Sequence, residues 1–259
     1  MDYQTKYTEQ KTAFHHMYDE AERRNKANKI ISVLTDYLGN SSSLSLLDLS
    51  CSTGFMIAEF SKFFGRVVGL DLDINAIQFA KKKHLIANVE FICGDGLNTG
   101  FVQESFDVVI CNQMYEHVPD AHLLLEEVYR ILKPGGVCYF GATNRLKVIE
   151  THYGRLPFLS FMPKTLANWY LRILHRGNNY YETLYSYWGL KALCRKFRCI
   201  DYTLRIVQDP ARFAATDVVK PGTVKQKVAL LLLRSMYWLF PGYVWLLHKP
   251  FKTQRDAGQ

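Results

Sequence analysis

The chain reads as an α/β protein built on a doubly wound, mostly parallel sheet. Three observations predict this. Five short apolar runs recur between residues 44 and 144. Segments of helical spacing separate them, the alternation that βαβ units produce. The runs lack strict apolar–polar alternation, which suits strands covered on both faces.

The elements follow in order. Residues 17–38, "MYDEAERRNKANKIISVLTDYL", place Ala21, Ile30, Ile31, Leu34 and Leu38 at helical spacing, with Gly39 as the stop. Residues 44–49 predict a buried strand, 56–64 a helix, and 66–73 a second strand. A helix over 75–84 has Asp73 as its cap. Third and fourth strands fall at 89–95 and 105–113. A helix over 122–132 is closed by "KPGG" at 133–136, and a fifth strand covers 137–144.

Beyond residue 150 the rhythm changes. Residues 151–190 hold ten aromatics, 25% against 14% for the whole chain, and read as an aromatic-rich helical cap. A helix near 186–197 follows, then two late strands at 198–207 and 242–249 with a helical stretch over 223–240 between them. The sequence shows no repeat and no clear domain boundary. It is expected to form one domain over 1–259: an N-terminal helical cap (1–42), a core (43–145), the aromatic segment (146–190) and a C-terminal part (191–259) that completes the sheet.

A chain of 259 residues with 48% hydrophobic content can bury one large core. The opening "MDYQTKYTEQ" has no apolar signal core, which predicts a cytoplasmic protein. Six cysteines, at 51, 93, 111, 138, 194 and 199, form no C-x-x-C pair. They are read as reduced core residues rather than a zinc site. Charge is uneven. Residues 191–259 carry 13 Lys and Arg against 4 Asp and Glu, whereas residues 1–190 carry 19 against 20. The basic quarter favours anionic partners, or is simply a solvated basic face.

"LLDLSCSTGF" (46–55) is a strand running into a small-residue turn. In open α/β sheets ligands bind beyond the carboxyl ends of the strands. Such a turn needs backbone N–H groups close to the ligand, where glycine serves best. Ser50 and Ser52 are the next smallest polar choice, and Gly54 keeps the last small position. Asp48, Asp71 and Asp95 fall at three strand ends. Asp71 lies 17 residues after Gly54, near the ~20-residue spacing that brings an acid to ribose hydroxyls. Leu72 would pack on a flat base, and Asp95 would accept from an exocyclic amine. Any one of these aspartates alone is equally a helix cap. The spacing of "DLSCSTG" does not fit G-x-G-x-x-G, which excludes a nicotinamide dehydrogenase.

Five stretches in sequence, "LLDLSCSTGF", "VVGLDLD", "VEFICGDG", "FDVVICNQMYEHV" and "ILKPGGVCYFGATNR", resemble the class I S-adenosylmethionine-dependent methyltransferases. The resemblance spans roughly 44–145. Nearest are ubiquinone-biosynthesis-type O-methyltransferases and related small-molecule enzymes. It implies a Rossmann-like sheet with a late antiparallel strand, and S-adenosylmethionine as cofactor. The glycine-loop residues Asp48, Ser50, Cys51, Ser52 and Gly54 would hold the methionine part. Asp71 and Leu72 would meet the ribose and base, Asp95 and Gly96 the adenine, and Cys111 would also border the cofactor. Two loop serines depart from D-x-G-x-G-x-G.

In "CNQMYEHVPD" (111–120), Gln113 stands where relatives often have an acid, so no metal is expected. Methyl transfer asks mainly for alignment and exclusion of water. A hydroxyl acceptor also needs a base, and His117 is the candidate because imidazole titrates near neutrality. Alternatively His117 only shapes its loop. Tyr153, Phe158, Phe161, Trp169, Tyr170, Tyr180 and Tyr181 are candidates for an apolar acceptor wall, or for the cap's own core. Arg23 or Arg24 would approach the cofactor carboxylate. "VALLLLRSMYWLFPGYVWLL" (228–247), interrupted by Arg234 and Pro241, is read as core helix plus last strand, with an interfacial anchor as the alternative. The function implied is methylation, most readily at oxygen, of a small apolar or lipid-linked acceptor. A catalytically inactive cofactor-binding or partner-binding protein is the rival. Nucleic acid is disfavoured because no N-P-P-Y-like motif follows the fourth strand. Nothing signals the oligomeric state.

Overall fold

The computed structural model describes residues 18–150 and 153–251. The polar opening read for signal character, the first residues of the N-terminal cap, and Lys252 lie outside them. Seven strands form one sheet in the order β3-β2-β1-β4-β5-β9-β8. These are β1 (Ser45–Asp48), β2 (Arg66–Asp71), β3 (Val89–Cys93), β4 (Phe106–Asn112), β5 (Leu132–Thr143), β8 (Arg198–Asp201) and β9 (Gly242–His248). β9 runs antiparallel to both β5 and β8, and every other pairing is parallel. β6 (Ile149–Glu150) and β7 (Leu156–Pro157) form a separate small ribbon. The α/β class and the late antiparallel strand are as the sequence implied.

The helices are fixed by caps and apolar stripes. α1 (Glu20–Leu38) starts at Asp19, whose carboxylate accepts from Glu22 N–H, and buries Ala27, Ile30, Ile31, Val33 and Leu34 along one face. α2 (Phe55–Phe60) stops four residues short of its expected end and finishes in a turn. α3 (Ile74–Lys83) is capped by Asp73, which accepts from the N–H groups of Asn75 and Ala76. α4 (Ala121–Ile131) is capped by Asp120 in the same way.

Three expectations need correction. "KPGG" does not end an element; it lies within β5, where the pairing with β4 jumps register between Phe106 and Val108. The strand expected over 198–207 is strand only to Asp201. There Asp201 Oδ1 accepts from Thr203 N–H, and the chain turns into a short helix, α7 (Thr203–Gln208). The expected helix over 223–240 is α8 (Val224–Ser235), which breaks at Met236 (φ −137°) into a turn over Tyr237–Leu239. The cap and the next segment contribute α5 (Lys164–Ile173) and α6 (Tyr187–Leu193).

Two apolar clusters fill the two faces of the sheet, one centred on Leu47, Val109 and Phe140, the other on Leu46, Val108 and Ile110. Neighbouring residues of β1 and β4 thus go to opposite faces, as strand alternation requires. All six cysteines are free thiols, four of them buried.

The β1–β4 pairing marks where the strand order reverses, the point at which open α/β sheets leave a crevice. A close approach shapes it. A Cβ built on Gly69 of β2 would sit 2.8 Å from Cys51 Sγ and 3.0 Å from Phe91. The absent side chain lets Cys51 seat the loop on β2, where its N–H donates to Leu70 O (3.1 Å). Gly69→Ala should therefore destabilise the fold by roughly 1–3 kcal/mol, the usual cost of overpacking. Adding Cys51→Ala should recover part of the loss in a double-mutant cycle read by urea denaturation. Strict additivity would show that the two positions do not share this contact.

Candidate functional site

A cleft opens at the carboxyl ends of β1, β2, β3 and β4. Its walls include Asp48, Ser50 and Ser52 from the first loop, Asp71, Leu72 and Asp73 from the second, and Asp95 and Gly96 from the third. Asn112, Gln113, Met114 and His117 come from the segment after β4, and Arg23 and Lys26 from α1.

The loop after β1 is held by a carboxylate. Ser52 N–H donates to Asp71 Oδ2 at 2.8 Å, and Asp73 N–H donates to Asp71 Oδ1 at 2.9 Å. Ser52 has φ 51°, in the left-handed region where glycine is at ease and serine costs about 1 kcal/mol. This explains why a glycine is usual there. Gly54 (φ 79°) ends the turn, and a Cβ on it would lie 2.8 Å from the Phe91 ring. Ser52 keeps the backbone path that a glycine would take and adds a hydroxyl.

Burial dominates the electrostatics. Asp48 is buried, and loss of water pushes its carboxyl up to about 7; the charge of Asp71 adds to this, while the Ser50 N–H and Arg23 oppose it. Burial likewise raises Asp71, against the backbone hydrogen bonds from Asp73, Ser52 and Leu72. Asp48 Oδ2 and Ser52 Oγ are buried with no hydrogen-bond partner among the described residues. Two uncompensated acceptors beside a cleft, backed by crowded carboxylates, suit a ligand that carries positive charge and donates hydrogen bonds. Arg23 and Lys26 on the facing helix suit a carboxylate on the same ligand. S-adenosylmethionine, with its sulfonium, amino and carboxylate groups, fits this set.

The segment after β4 supplies the other wall. Gln113 is exposed in the cleft with φ 54°, its N–H donating to Gly141 O (2.8 Å). Thr143 Oγ1 lies 2.7 Å from Gln113 Oε1 and 3.2 Å from buried Glu116 Oε1, so it holds the amide in place. His117 is mostly buried, with Nδ1 3.9 Å from Glu182 Oε1. Glu182 also accepts from Tyr153 Oη at 2.8 Å. No three His, Cys, Asp or Glu side chains group to hold a metal ion among the described residues.

Of the residues singled out in the sequence, Asp48, Ser50, Ser52, Asp71, Leu72, Asp95, Gly96 and His117 border the cleft. Cys51, Gly54 and Cys111 do not. Cys51 packs on Gly69, Gly54 on Phe91, and Cys111 lies in the core beneath the sheet. Alternation along β4 sends Cys111 inward and leaves the next residue, Asn112, at the cleft. Asn112, Met114 and Lys26 were missed, though the strand-end position of Asn112 was a signal. Arg23 reaches the cleft, whereas Arg24 pairs with Glu20 and Glu59.

The aromatic wall needs correction. None of Tyr153, Phe158, Phe161, Trp169, Tyr170, Tyr180 and Tyr181 borders the cleft. Tyr153, Tyr170 and Tyr180 pack in a small cluster around Leu159 and Leu171, and Tyr180 Oη donates to Glu150 Oε2 (3.0 Å). Trp169 and Tyr181 are exposed.

Residues 47–140 match the family model described as "Methyltransferase domain". The chain is 36% identical over 126 residues to the demethylmenaquinone methyltransferase of Lactococcus lactis subsp. lactis (strain IL1403), covering 46% of this chain and 47% of that one. It is 30% identical over 175 residues to the Staphylococcus aureus (strain MRSA252) protein of the same name, covering 64% and 70%. Among solved structures, the methyltransferase in complex with the Haloferax volcanii Trm112 activator superposes with a TM-score of 0.57 at 15% identity, over 93% of this chain and 96% of that one.

The raised Asp48 carboxyl makes stability depend on pH. A folded pKa above the unfolded one means the group favours the fold most at low pH, and that contribution is lost as pH rises through the folded value. The melting temperature of the ligand-free protein, relative to Asp48→Asn, should fall as pH goes from 3.8 to about 7 and level off above. Parallel melting curves across that window would refute the assignment.

Proposed function

The chain belongs to the class I S-adenosylmethionine-dependent methyltransferases, and on that premise we propose that it methylates the hydroxyl of a small apolar ring. The observation that carries the reading is the meeting, in one cleft, of His117 and Gln113 with the buried unpartnered atoms of Asp48 and Ser52. The names of the two bacterial relatives, both demethylmenaquinone methyltransferases, support a quinone-type ring as the acceptor, and the choice of oxygen rests on His117.

When bound, the cofactor supplies a methyl group on a sulfonium and leaves as a neutral thioether. The residues of the chain do the rest. Asp48 and the loop through Ser52 would receive the cationic end, Arg23 and Lys26 its carboxylate. Asp71, whose oxygens also take the N–H groups of Ser52 and Asp73, would accept from the ribose hydroxyls. Asp95, held by Leu97 N–H (2.9 Å), would face the adenine amine. His117, with Nδ1 toward Glu182, presents its other nitrogen to an acceptor hydroxyl and takes the proton as that oxygen becomes nucleophilic. Gln113, anchored through its carbonyl oxygen, offers its amide N–H₂ to the acceptor.

Calorimetric titration with S-adenosylmethionine is expected to show binding in the wild type and its loss in Asp71→Ala. His117→Ala should bind cofactor within about threefold of wild type and lose roughly 10²–10⁴-fold in turnover on a hydroxylated ring acceptor. Unchanged turnover would remove the base role. Absence of cofactor binding in the wild type would favour a non-catalytic, partner-binding protein.

A further inference from the structure

We propose that α8 is an interfacial helix that lays the protein on an anionic lipid bilayer. The expectation that residues 228–247 split into a core helix and a last strand holds only for the strand. β9 lies inside the sheet, with Trp245, Leu246 and Leu247 fully buried. α8 buries Leu233 alone. Val224, Val228 and Leu231 are 76%, 58% and 68% exposed, and their i, i+4, i+7 spacing sets them in one outward stripe.

The surroundings of the stripe identify its occupant. At 100° per residue, Lys225 falls on one flank of it, Lys227 and Arg234 on the other. The helix has no acidic residue. The side chains of Lys227 and Arg234 make no ion pair or hydrogen bond among the described residues, whereas Lys225 Nζ donates to Val218 O. An apolar ridge with cations along both edges is what a bilayer surface requires: the ridge enters the acyl boundary and the cations meet lipid phosphates. A protein partner would have to answer both edges with acid.

The stripe does not end with the helix. Met236 and Trp238 are also exposed, and Trp238 stacks on exposed Trp188 at 5.5 Å and 30°. Tryptophan pairs of this kind sit well at the headgroup level. Asn144 Nδ2, at the end of β5, donates to Trp238 O and Phe240 O. That places the end of the stripe at the same edge of the sheet as the cleft. α5 has a similar outward stripe of Leu166, Trp169 and Ile173, but its neighbouring cations are engaged. Lys164 donates to Tyr181 O and Thr183 Oγ1, and Arg172 to Asn178 O. α8 is therefore the element whose flanking cations Lys227 and Arg234 have no side-chain partner among the described residues. It lies along the surface and does not cross: no helix among the described residues is long and apolar enough to span a membrane.

The test is flotation with phosphatidylcholine vesicles, with and without 30% phosphatidylglycerol as probe composition. Neither cofactor nor acceptor is present, so the result stands apart from the proposed reaction. The wild type should float with the anionic vesicles and lose binding as salt rises. Leu231→Glu and, separately, Lys227→Gln with Arg234→Gln should each lose roughly tenfold or more in vesicle affinity while melting like wild type. Both sets of positions are on the surface, so one well-folded variant suffices. No flotation of the wild type overturns the proposal. So does a wild-type dimer that Leu231→Glu converts to monomer, which would make the stripe a contact between two copies.

Discussion

The cleft depends on one carboxylate. Asp71 ends β2, and its two oxygens take the N–H groups of Ser52 and Asp73, which belong to two different loops. It thereby ties the turn after β1 to the cap of α3. Burial works against the ionised form, and only the backbone hydrogen bonds and an incoming cation favour it. Remove the carboxylate and Ser52 has no reason to stay at φ 51°, a conformation a serine does not choose. The shape of the loop, the seating of Cys51 on Gly69 and the place of buried Asp48 in the cleft wall all follow from that anchor.

This makes sense of the two serines. A glycine in the turn supplies conformational freedom and nothing else. Here the left-handed position is imposed by Asp71 and by the packing of Cys51, so the loop keeps its path without glycine at 52. The hydroxyl that results is buried and unpartnered, a cost of about 1–3 kcal/mol unless something binds to it. The same holds for Asp48 Oδ2. Two such atoms, in residues lining one strand-reversal crevice, store a demand that a cationic, hydrogen-bonding ligand satisfies.

Much of this was legible in the sequence, for a physical reason. Strand ends are marked by the change from apolar runs to Asp and small residues, so Asp48, Asp71 and Asp95 were found by position alone. Caps were equally legible, because an aspartate ahead of an apolar period has one clear use, as Asp73 shows. What was not legible depends on side-chain direction and on tertiary choice. Cys111 and Asn112 differ by one place, and only the register of β4 against β5 says which faces the cleft. The aromatic residues of the cap gave no sign of whether they would line a pocket or fill a core. Their small cluster formed because Leu159, Ala167 and Leu171 gave Tyr153 and Tyr180 something to pack on. The stretch after Arg198 had strand-like composition, yet it pairs with β9 for only four residues before Asp201 redirects the backbone. At 228–247 the division into helix and strand was legible from Arg234 and Pro241, but the apolar content did not say that the helix would lie on the surface and only the strand be buried.

The end of β5 joins the two halves of the functional argument. Thr143 holds Gln113 and Glu116 on the acceptor side of the cleft, and the next residue, Asn144, holds the carbonyls of Trp238 and Phe240. Asn144 is fully buried, and its Nδ2 is also 3.0 Å from Tyr243 Oη. Buried polar groups tied this closely resist independent movement, because separating any one leaves its partners unpaired in a low-dielectric setting. The loop that carries Gln113 and His117 and the segment that carries Trp238 therefore share one support at the end of β5. On the two proposals above, an apolar acceptor arriving through lipid would meet Gln113 and His117 at a position fixed by the sheet itself.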